Sequence, residues 1–306
     1  MHVPDYLRQK LVELFGIETE VWLKNADILV DASIDKWKLT KCTIPDGLSI
    51  NFICFGYSDE FGDVALKVGF PYQDLFTEMK ALSLYKGRYI CKCYDYDIDL
   101  GAMILERFEP GNDLKSIEDH NQRLLIAASL ISQLPIEIEA DYDLPSYWEW
   151  IAYAFEKTRI KKDIDSRILS YMDEAEDLYH EISSEGKPKL LLHGDLHHRN
   201  ILKTRDGEWK AIDPKGVIGV HSLEAAKYIV HQFYMVGKNE RIACLDNMIT
   251  TFSEAIGESE RSIAAGAFIL SVLSVCWSYN AFVRSASLPQ KLNDCGIFLD
   301  QVKIYI

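Results

Sequence analysis

The sequence predicts an α+β protein in two parts: a small N-terminal part with a five-stranded antiparallel sheet plus a helix, then a larger, mostly helical C-terminal part. Three observations carry that prediction. Residues 37–68, 89–94 and 101–107 alternate apolar and polar side chains between turn clusters, the period-two pattern of strands. Residues 112–185 and 223–302 repeat apolar side chains at helical spacing instead. Between these helical regions lies the stretch 193–216, HGDLHHRNILKTRDGEWKAIDPKG, a loop holding His, Asp and Asn side chains and bounded by short apolar runs.

Residues 4–35 read as two helices. Tyr6, Leu7, Leu11, Leu14 and Phe15 recur on one face before Gly16, and Val21, Trp22, Ile28 and Leu29 give the second helix a similar face. Strands are expected over 37–44, 49–57 and 63–68, separated by Pro45-Asp46-Gly47 and by a turn at 58–62. Residues 71–85 form a helix with Leu75, Met79, Leu82 and Leu84 on its apolar side, and strands at 89–94 and 101–107 complete the sheet. Cys91 and Cys93, two apart along one of these strands, should share a face. Asp113 should cap a short helix, and residues 121–133 form a longer one. The acidic stretch 135–145, PIEIEADYDLP, reads as a surface loop. Further helices are expected over 147–158, 164–182, 223–235, 241–256, 261–279 and 290–302. Trp277 and Tyr279, on an apolar helix, read as core before pocket lining.

The 306 residues are ample for a buried core, and 48% hydrophobic with 26% charged residues is ordinary for a soluble globular chain. A formal net charge of −14 argues against nucleic acid or an anionic membrane as partner. Seven cysteines without a CxxC pair argue for free thiols in a reducing compartment. The start, MHVPDYLRQK, lacks the basic-then-apolar plan of a signal peptide, and the apolar run 263–277 is too short and too serine-bearing to span a bilayer. The expectation is a cytoplasmic protein with no membrane, nucleic-acid or protein partner indicated.

The chemistry concentrates in the loop. Asp195 lies five residues before Asn200, and Asp213 eighteen residues after Asp195. Phosphoryl transfer needs such a set: one carboxylate to accept the hydroxyl proton, and oxygen ligands for the cation that neutralises an anionic transition state. Asp213 precedes Pro214, which disfavours helical geometry and predicts an extended strand end with the carboxylate projecting into a cleft. The imidazoles of His193, His197 and His198 read as groups bracing the loop, with Glu224 a further brace. Taken as metal ligands with Asp195 they would suggest a metallohydrolase, but the other histidines form no supporting cluster.

HGD followed by four residues and Asn resembles the catalytic loop of aminoglycoside phosphotransferases, with Gly194 where protein kinases carry Arg. The longer strings HGDLHHRNIL and AIDPKGVIG resemble the streptomycin phosphotransferase branch, the aminoglycoside/hydroxyurea antibiotic resistance kinases. The resemblance implies a bilobal protein-kinase-like fold. Residues 1–107 would be the nucleotide-binding lobe with extra N-terminal helices, and residues 108–306 the catalytic and substrate-binding lobe. It implies ATP and Mg²⁺ as cofactors, Asp195 as base, and Asn200 and Asp213 as magnesium ligands. Lys67, in VALKV, matches the phosphate-binding lysine, and Glu78 is its candidate ion-pair partner. Glu106 would offer its carbonyl and Phe108 its N–H to adenine. No GxGxxG motif occurs, so backbone N–H groups and the Ser49 hydroxyl would cover the phosphates. Lys215 is placed to reach the transferring phosphoryl group.

The acceptor implied is a hydroxyl of a streptomycin-like aminoglycoside, a polycation that Glu258, Glu260 and Asp294 could hold. Hydroxyurea or another small hydroxylated metabolite is the alternative. A non-catalytic pseudokinase is the alternative from another class, disfavoured because Lys67, Asp195, Asn200 and Asp213 are all present. A protein kinase is disfavoured by HGD in place of HRD, by Pro-Lys-Gly after Asp213, and by the lack of an APE motif.

Overall fold

The alternation seen in the N-terminal sequence becomes a single twisted sheet. The computed structural model describes residues 1–16, 18–48, 50–138, 142–184, 187–281 and 287–305. Its contacts divide the chain into two units, Met1–Gly111 with Lys203–Glu208, and Asn112–Leu202 with Trp209–Ile306.

The first unit opens with helices α1 (Asp5–Phe15) and α2 (Glu18–Lys36). Strands β1 (Thr40–Thr43), β2 (Phe52–Ser58) and β3 (Gly62–Val68) follow, then α3 (Gln73–Tyr85), β4 (Cys93–Asp97) and β5 (Ala102–Glu106). The order is β1-β2-β3-β5-β4, with every neighbouring pair antiparallel. Phe52 and Cys54 of β2 and Val64, Leu66 and Val68 of β3 point to one face, where Leu7, Leu11, Ala26 and Val30 of the two helices cover them. Each of the Phe, Val and Leu side chains contributes about 1.5–3 kcal/mol on burial, so the helices stabilise the sheet that carries Lys67.

Two local expectations change here. Trp37 ends the α2 turn instead of starting a strand, because its indole N–H donates to Asp95 at 2.9 Å. Strand β4 starts at Cys93, after Cys91, and its register shifts between Cys93 and Asp95. Cys91 therefore lies outside the strand and is buried, while Cys93 is only partly covered.

The second unit contains α4 (His120–Gln133), β6 (Ile136–Glu137), α5 (Tyr147–Arg159), α6 (Arg167–Ile182), β7 (Leu190–Leu192), β8 (Ile201–Lys203), β9 (Trp209–Ala211), β10 (Val217–Gly219), α7 (His221–Phe233), α8 (Arg241–Ile256), α9 (Glu260–Asn280) and α10 (Leu288–Ile304). Helix α4 is capped by Asp119, and α5 by a Ser146–Glu149 capping box. Asp113 precedes a 3-10 turn but makes no side-chain cap, and its carbonyl instead accepts from the Ser116 hydroxyl at 2.6 Å. Residues 136–137 of the expected acidic loop are a strand: β6 pairs with β7, and β10 closes the other side. Residues 139–141 of that stretch lie outside the described residues.

Helix α9 is the axis of this unit and contacts α5, α6, α7, α8 and α10. It runs for 21 residues, longer than the apolar run suggested, with a mean hydropathy of 1.7 over its most apolar window. By length it could span a bilayer, but 83% of that window is buried against the neighbouring helices, so it serves as core. Its closest approach is at Gly266, where an added Cβ would lie 2.9 Å from the Ser222 carbonyl and 3.2 Å from Ala226 of α7. Gly266→Val should therefore force α7 and α9 apart and cost about 1–3 kcal/mol, as overpacking does. Urea denaturation measures it, and a midpoint equal to that of the parent chain would show slack between the two helices.

Candidate active site

The loop after β7 is organised by His193. Its backbone N–H donates to the Glu224 carboxylate on α7 at 2.5 Å. The imidazole Nδ1 accepts from the Asp195 backbone N–H at 3.2 Å, so Nε2 carries the proton and donates to the Ile212 carbonyl at 2.7 Å. Its own carbonyl accepts from the backbone N–H of Lys215 at 2.7 Å and of Gly216 at 3.3 Å. The side chain is fully buried, and burial lowers its pKa to about 4, which keeps it neutral and in that tautomer. Glu224 is likewise fully buried. Burial pushes its carboxyl up to about 8, against the backbone N–H groups of His193 and Gly194 that favour the anion.

Gly194 has φ +78, and an added Cβ would lie 2.7 Å from Val217 and 3.3 Å from the Trp150 ring. No arginine fits in that place, which explains the HGD motif sterically.

Asp195 and Asn200 are brought together. The amide nitrogen of Asn200 donates to the Asp195 carbonyl at 3.1 Å, which leaves the amide oxygen as the end available to a cation. The Asn200 carbonyl accepts from the Ile212 N–H at 2.9 Å, setting it beside the residue before Asp213. Asp213 itself is not extended, as its position before proline predicted, but has φ +58. The chain is tethered at Ile212 and again at Lys215, so it must reverse between them, and Asp213 takes up the reversal. One oxygen of Asp195 lies 2.8 Å from Nζ of Lys227 on α7. Burial would raise this carboxyl, but Lys227 and the neighbouring imidazoles outweigh it and hold the pKa below its usual value.

His197, His198 and His231 pack with ring centroids 4.6–5.9 Å apart, and Nδ1 of His197 and of His231 has no partner among the described residues. Burial lowers all three pKa values, to about 4 for His198 and about 3 for His231. Among the described residues no group of three or more His, Cys, Asp or Glu is arranged to hold a metal ion. Asn200 and Asp213 supply hard oxygen donors, which suit Mg²⁺ with its preference for one or two protein ligands plus phosphate oxygens.

In the first unit, Nζ of Lys67 lies 2.6 and 2.7 Å from the two carboxylate oxygens of Glu78, with both side chains buried. Glu106 ends β5, where its N–H donates to the Lys92 carbonyl at 2.8 Å and its carboxylate accepts from the Lys92 N–H at 3.1 Å. Phe108 is buried two residues further on. Ser49 lies outside the described residues.

A cavity of about 180 Å³ opens within the second unit, lined in part by Tyr147, Gly194, Lys227, His231, Trp277 and Lys291. Trp277 is a lining residue, 43% exposed, whereas Tyr279 is core, its hydroxyl accepting from the Asp165 N–H at 3.2 Å. Sequence reasoning missed Lys227, His231, Tyr147 and Lys291. Glu224, Lys227 and His231 recur at i, i+3 and i+7 on α7, a one-face spacing that could have exposed the first two. The carboxylates expected to hold a cationic acceptor are engaged elsewhere: Glu258 with Lys187 at 3.0 Å, Glu260 with Thr250 at 2.6 Å, and buried Asp294 with Gln290 at 2.7 Å.

The family model for aminoglycoside/hydroxyurea antibiotic resistance kinases matches residues 62–281. The chain is 23% identical over 292 residues to streptomycin 6-kinase of Streptomyces glaucescens, covering 94% of this chain and 90% of that protein. It is 27% identical over 177 residues to hydroxyurea phosphotransferase of Kitasatospora aureofaciens, covering 56% of this chain and 51% of that protein. Among solved structures, a choline kinase from Streptococcus pneumoniae superposes with a TM-score of 0.64 at 14% identity, covering 91% of this chain and 99% of that one. The fold is thus protein-kinase-like, with a five-stranded antiparallel sheet and a mostly helical remainder.

The depressed imidazoles make stability pH-dependent. His193 has a folded pKa of about 4 against 6.5 unfolded, so between those values the unfolded chain binds a proton the folded chain refuses. Its contribution is complete above 6.5 and is lost as pH falls toward 4, with His198 and His231 acting in the same direction. His193→Gln should flatten the slope of stability against pH by up to about 1.4 kcal/mol per unit, read from urea midpoints across that window. An unchanged slope would mean that the buried ring is already protonated.

Proposed function

The chain belongs to the aminoglycoside/hydroxyurea antibiotic resistance kinase family, and on that footing we propose that it transfers the γ-phosphate of ATP, with Mg²⁺, to a hydroxyl of a small molecule. The observation that carries this is the Asp195 carboxylate, held ionised beside Lys227 and hydrogen-bonded through its backbone to Asn200 and His193.

In this reading Asp195 accepts the acceptor's hydroxyl proton and aims the oxygen lone pair at the phosphorus. Lys227 and the His193 framework keep the carboxylate ionised and fixed until the hydroxyl arrives. Asn200, through its amide oxygen, and Asp213 would hold Mg²⁺, which supplies charge neutralisation to the phosphates when bound. Lys67 would contact the nucleotide phosphates, with Glu78 fixing its direction. Removing one member of such a buried pair typically costs 3–5 kcal/mol, so Glu78 is needed for the lysine's position as well as for stability. Lys215 would add positive charge near the transferring phosphoryl group. Backbone groups of Glu106 and Phe108 would bind adenine, with Ser49 near the phosphates. Residues 1–107 would then act as the nucleotide-binding lobe and residues 108–306 as the catalytic and acceptor-binding lobe. Seven free thiols fit a cytoplasmic site of action.

A streptomycin-type aminoglycoside is the acceptor that the relatives suggest, and hydroxyurea is the second. Support for the aminoglycoside rests on those relatives; the carboxylates that would receive its cationic groups already have partners.

Asp195→Asn should lower turnover by roughly two or more orders of magnitude, the usual cost of losing a general base. Magnesium-dependent nucleotide binding should survive the change. Phosphate transfer from labelled ATP to streptomycin and to hydroxyurea, beside acceptor-free ATP hydrolysis, measures the first quantity, and calorimetry measures the second. Near-parental turnover would move the base elsewhere, and nucleotide binding indifferent to magnesium would remove Asn200 and Asp213 from their roles.

A further inference from the structure

The cavity of the second unit has a charge opposite to that of the protein around it. The chain carries a formal net charge of −14, yet among the described residues the lining contains two lysines and no carboxylate. Lys227 is neutralised by Asp195 at 2.8 Å. Lys291 is not neutralised: its Nζ reaches only the hydroxyls of Ser274 and Ser278, at 3.4 Å each, and meets no carboxylate among the described residues. Burial and the nearby Lys227 charge both lower its pKa, as expected of a half-buried ammonium without a counter-ion.

Two further groups wait in the same lining. The Tyr147 hydroxyl and Nδ1 of His231 are buried and have no hydrogen-bond partner among the described residues. Burial raises the Tyr147 pKa well above its ordinary value, so its hydroxyl remains a donor. A buried donor left unmatched is costly, and a ligand oxygen would satisfy it. Gly194 and Lys227 in the wall place this space next to the Asp195 carboxylate, on the acceptor side of the chemistry. Trp277 offers an apolar face for a carbon framework. At about 180 Å³ the space is below the 300–1,000 Å³ of drug-sized sites, so it admits a small acceptor or one ring of a larger one.

We infer that the acceptor carries an anionic group, a carboxylate or phosphate, which seats on Lys291 within reach of the Tyr147 hydroxyl while the acceptor's own hydroxyl faces Asp195. An ammonium or guanidinium in the same space would be a second unbalanced cation beside Lys291. An anion is the first counter-charge Lys291 receives, in surroundings where Coulomb energies are larger than in water. The inference rests on the kinase reading above, and it names an acceptor class different from the cationic aminoglycoside that the relatives suggest.

The test uses three alcohols of one shape: 4-(hydroxymethyl)benzoate, 4-(hydroxymethyl)benzamide and 4-(aminomethyl)benzyl alcohol. Each is titrated calorimetrically into the full chain, with and without Mg²⁺ and the non-hydrolysable analogue AMP-PNP. The benzoate should bind tightest and the amine weakest, separated by about tenfold or more. Lys291→Gln should abolish the benzoate's advantage over the amide while leaving AMP-PNP affinity unchanged. An amine that binds as well as the benzoate, a benzoate that does not bind, or a Lys291→Gln chain that loses AMP-PNP affinity would overturn the inference. The last outcome would assign the lysine to the nucleotide. Failure of the kinase reading shows separately, as absence of magnesium-dependent AMP-PNP binding by the parent chain.

Discussion

The buried imidazole of His193 is the constraint on which the loop after β7 and the segments around it depend. Through both ring nitrogens and both backbone groups it joins α7, the Asp195 turn, the end of β9 and the Lys215–Gly216 segment. A flexible loop could not hold Asp195, Asn200 and Asp213 in one arrangement, because each ordered backbone residue costs about 1–2 kcal/mol of entropy. A single residue that ties four segments together, two through its ring and two through its backbone, replaces many weaker contacts, and the neutrality of the ring is part of the design. A protonated ring could not accept the Asp195 N–H, so the burial that lowers its pKa also preserves the geometry.

The first unit solves a similar problem with charge. Lys67 sits on the central strand β3, between β2 and β5, where both neighbouring strands are paired along its length. Burying an ammonium there is made tolerable by the two oxygens of Glu78 that reach it. Helix α3 is thereby tied to the sheet by an ionic contact, and the lysine is held to one direction. The N-terminal helices α1 and α2 contribute no charge to this arrangement. Their part is to cover Phe52, Val64 and Leu66, without which the sheet would expose its apolar face.

Much of this was legible in the sequence, for reasons that differ by residue. The strand around Lys67 is visible because period-two alternation survives on a half-covered sheet, and the helix carrying Glu78 has a clear apolar face. Asp195, Asn200 and Asp213 stand out because phosphoryl transfer would require such groups at fixed spacing along a short loop. What was not legible depends on distant contacts. Lys227 and Lys291 look like ordinary helix lysines until the folded chain brings one beside Asp195 and both to one cavity. Glu258 and Glu260 look like free surface carboxylates until Lys187 and Thr250 occupy them. Strand β6 has two residues, too few to show a period, and the backbone of Asp213 is dictated by tethers on either side of it.

Helix α9 combines two duties along its length. Toward its start, Gly266 lies against α7 with no room for a side chain, while Ser274 and Trp277, two and three turns later, face the cavity. Side chains at the far end of this helix can therefore be exchanged, and the cavity wall reshaped, without loosening the near end that holds the bundle.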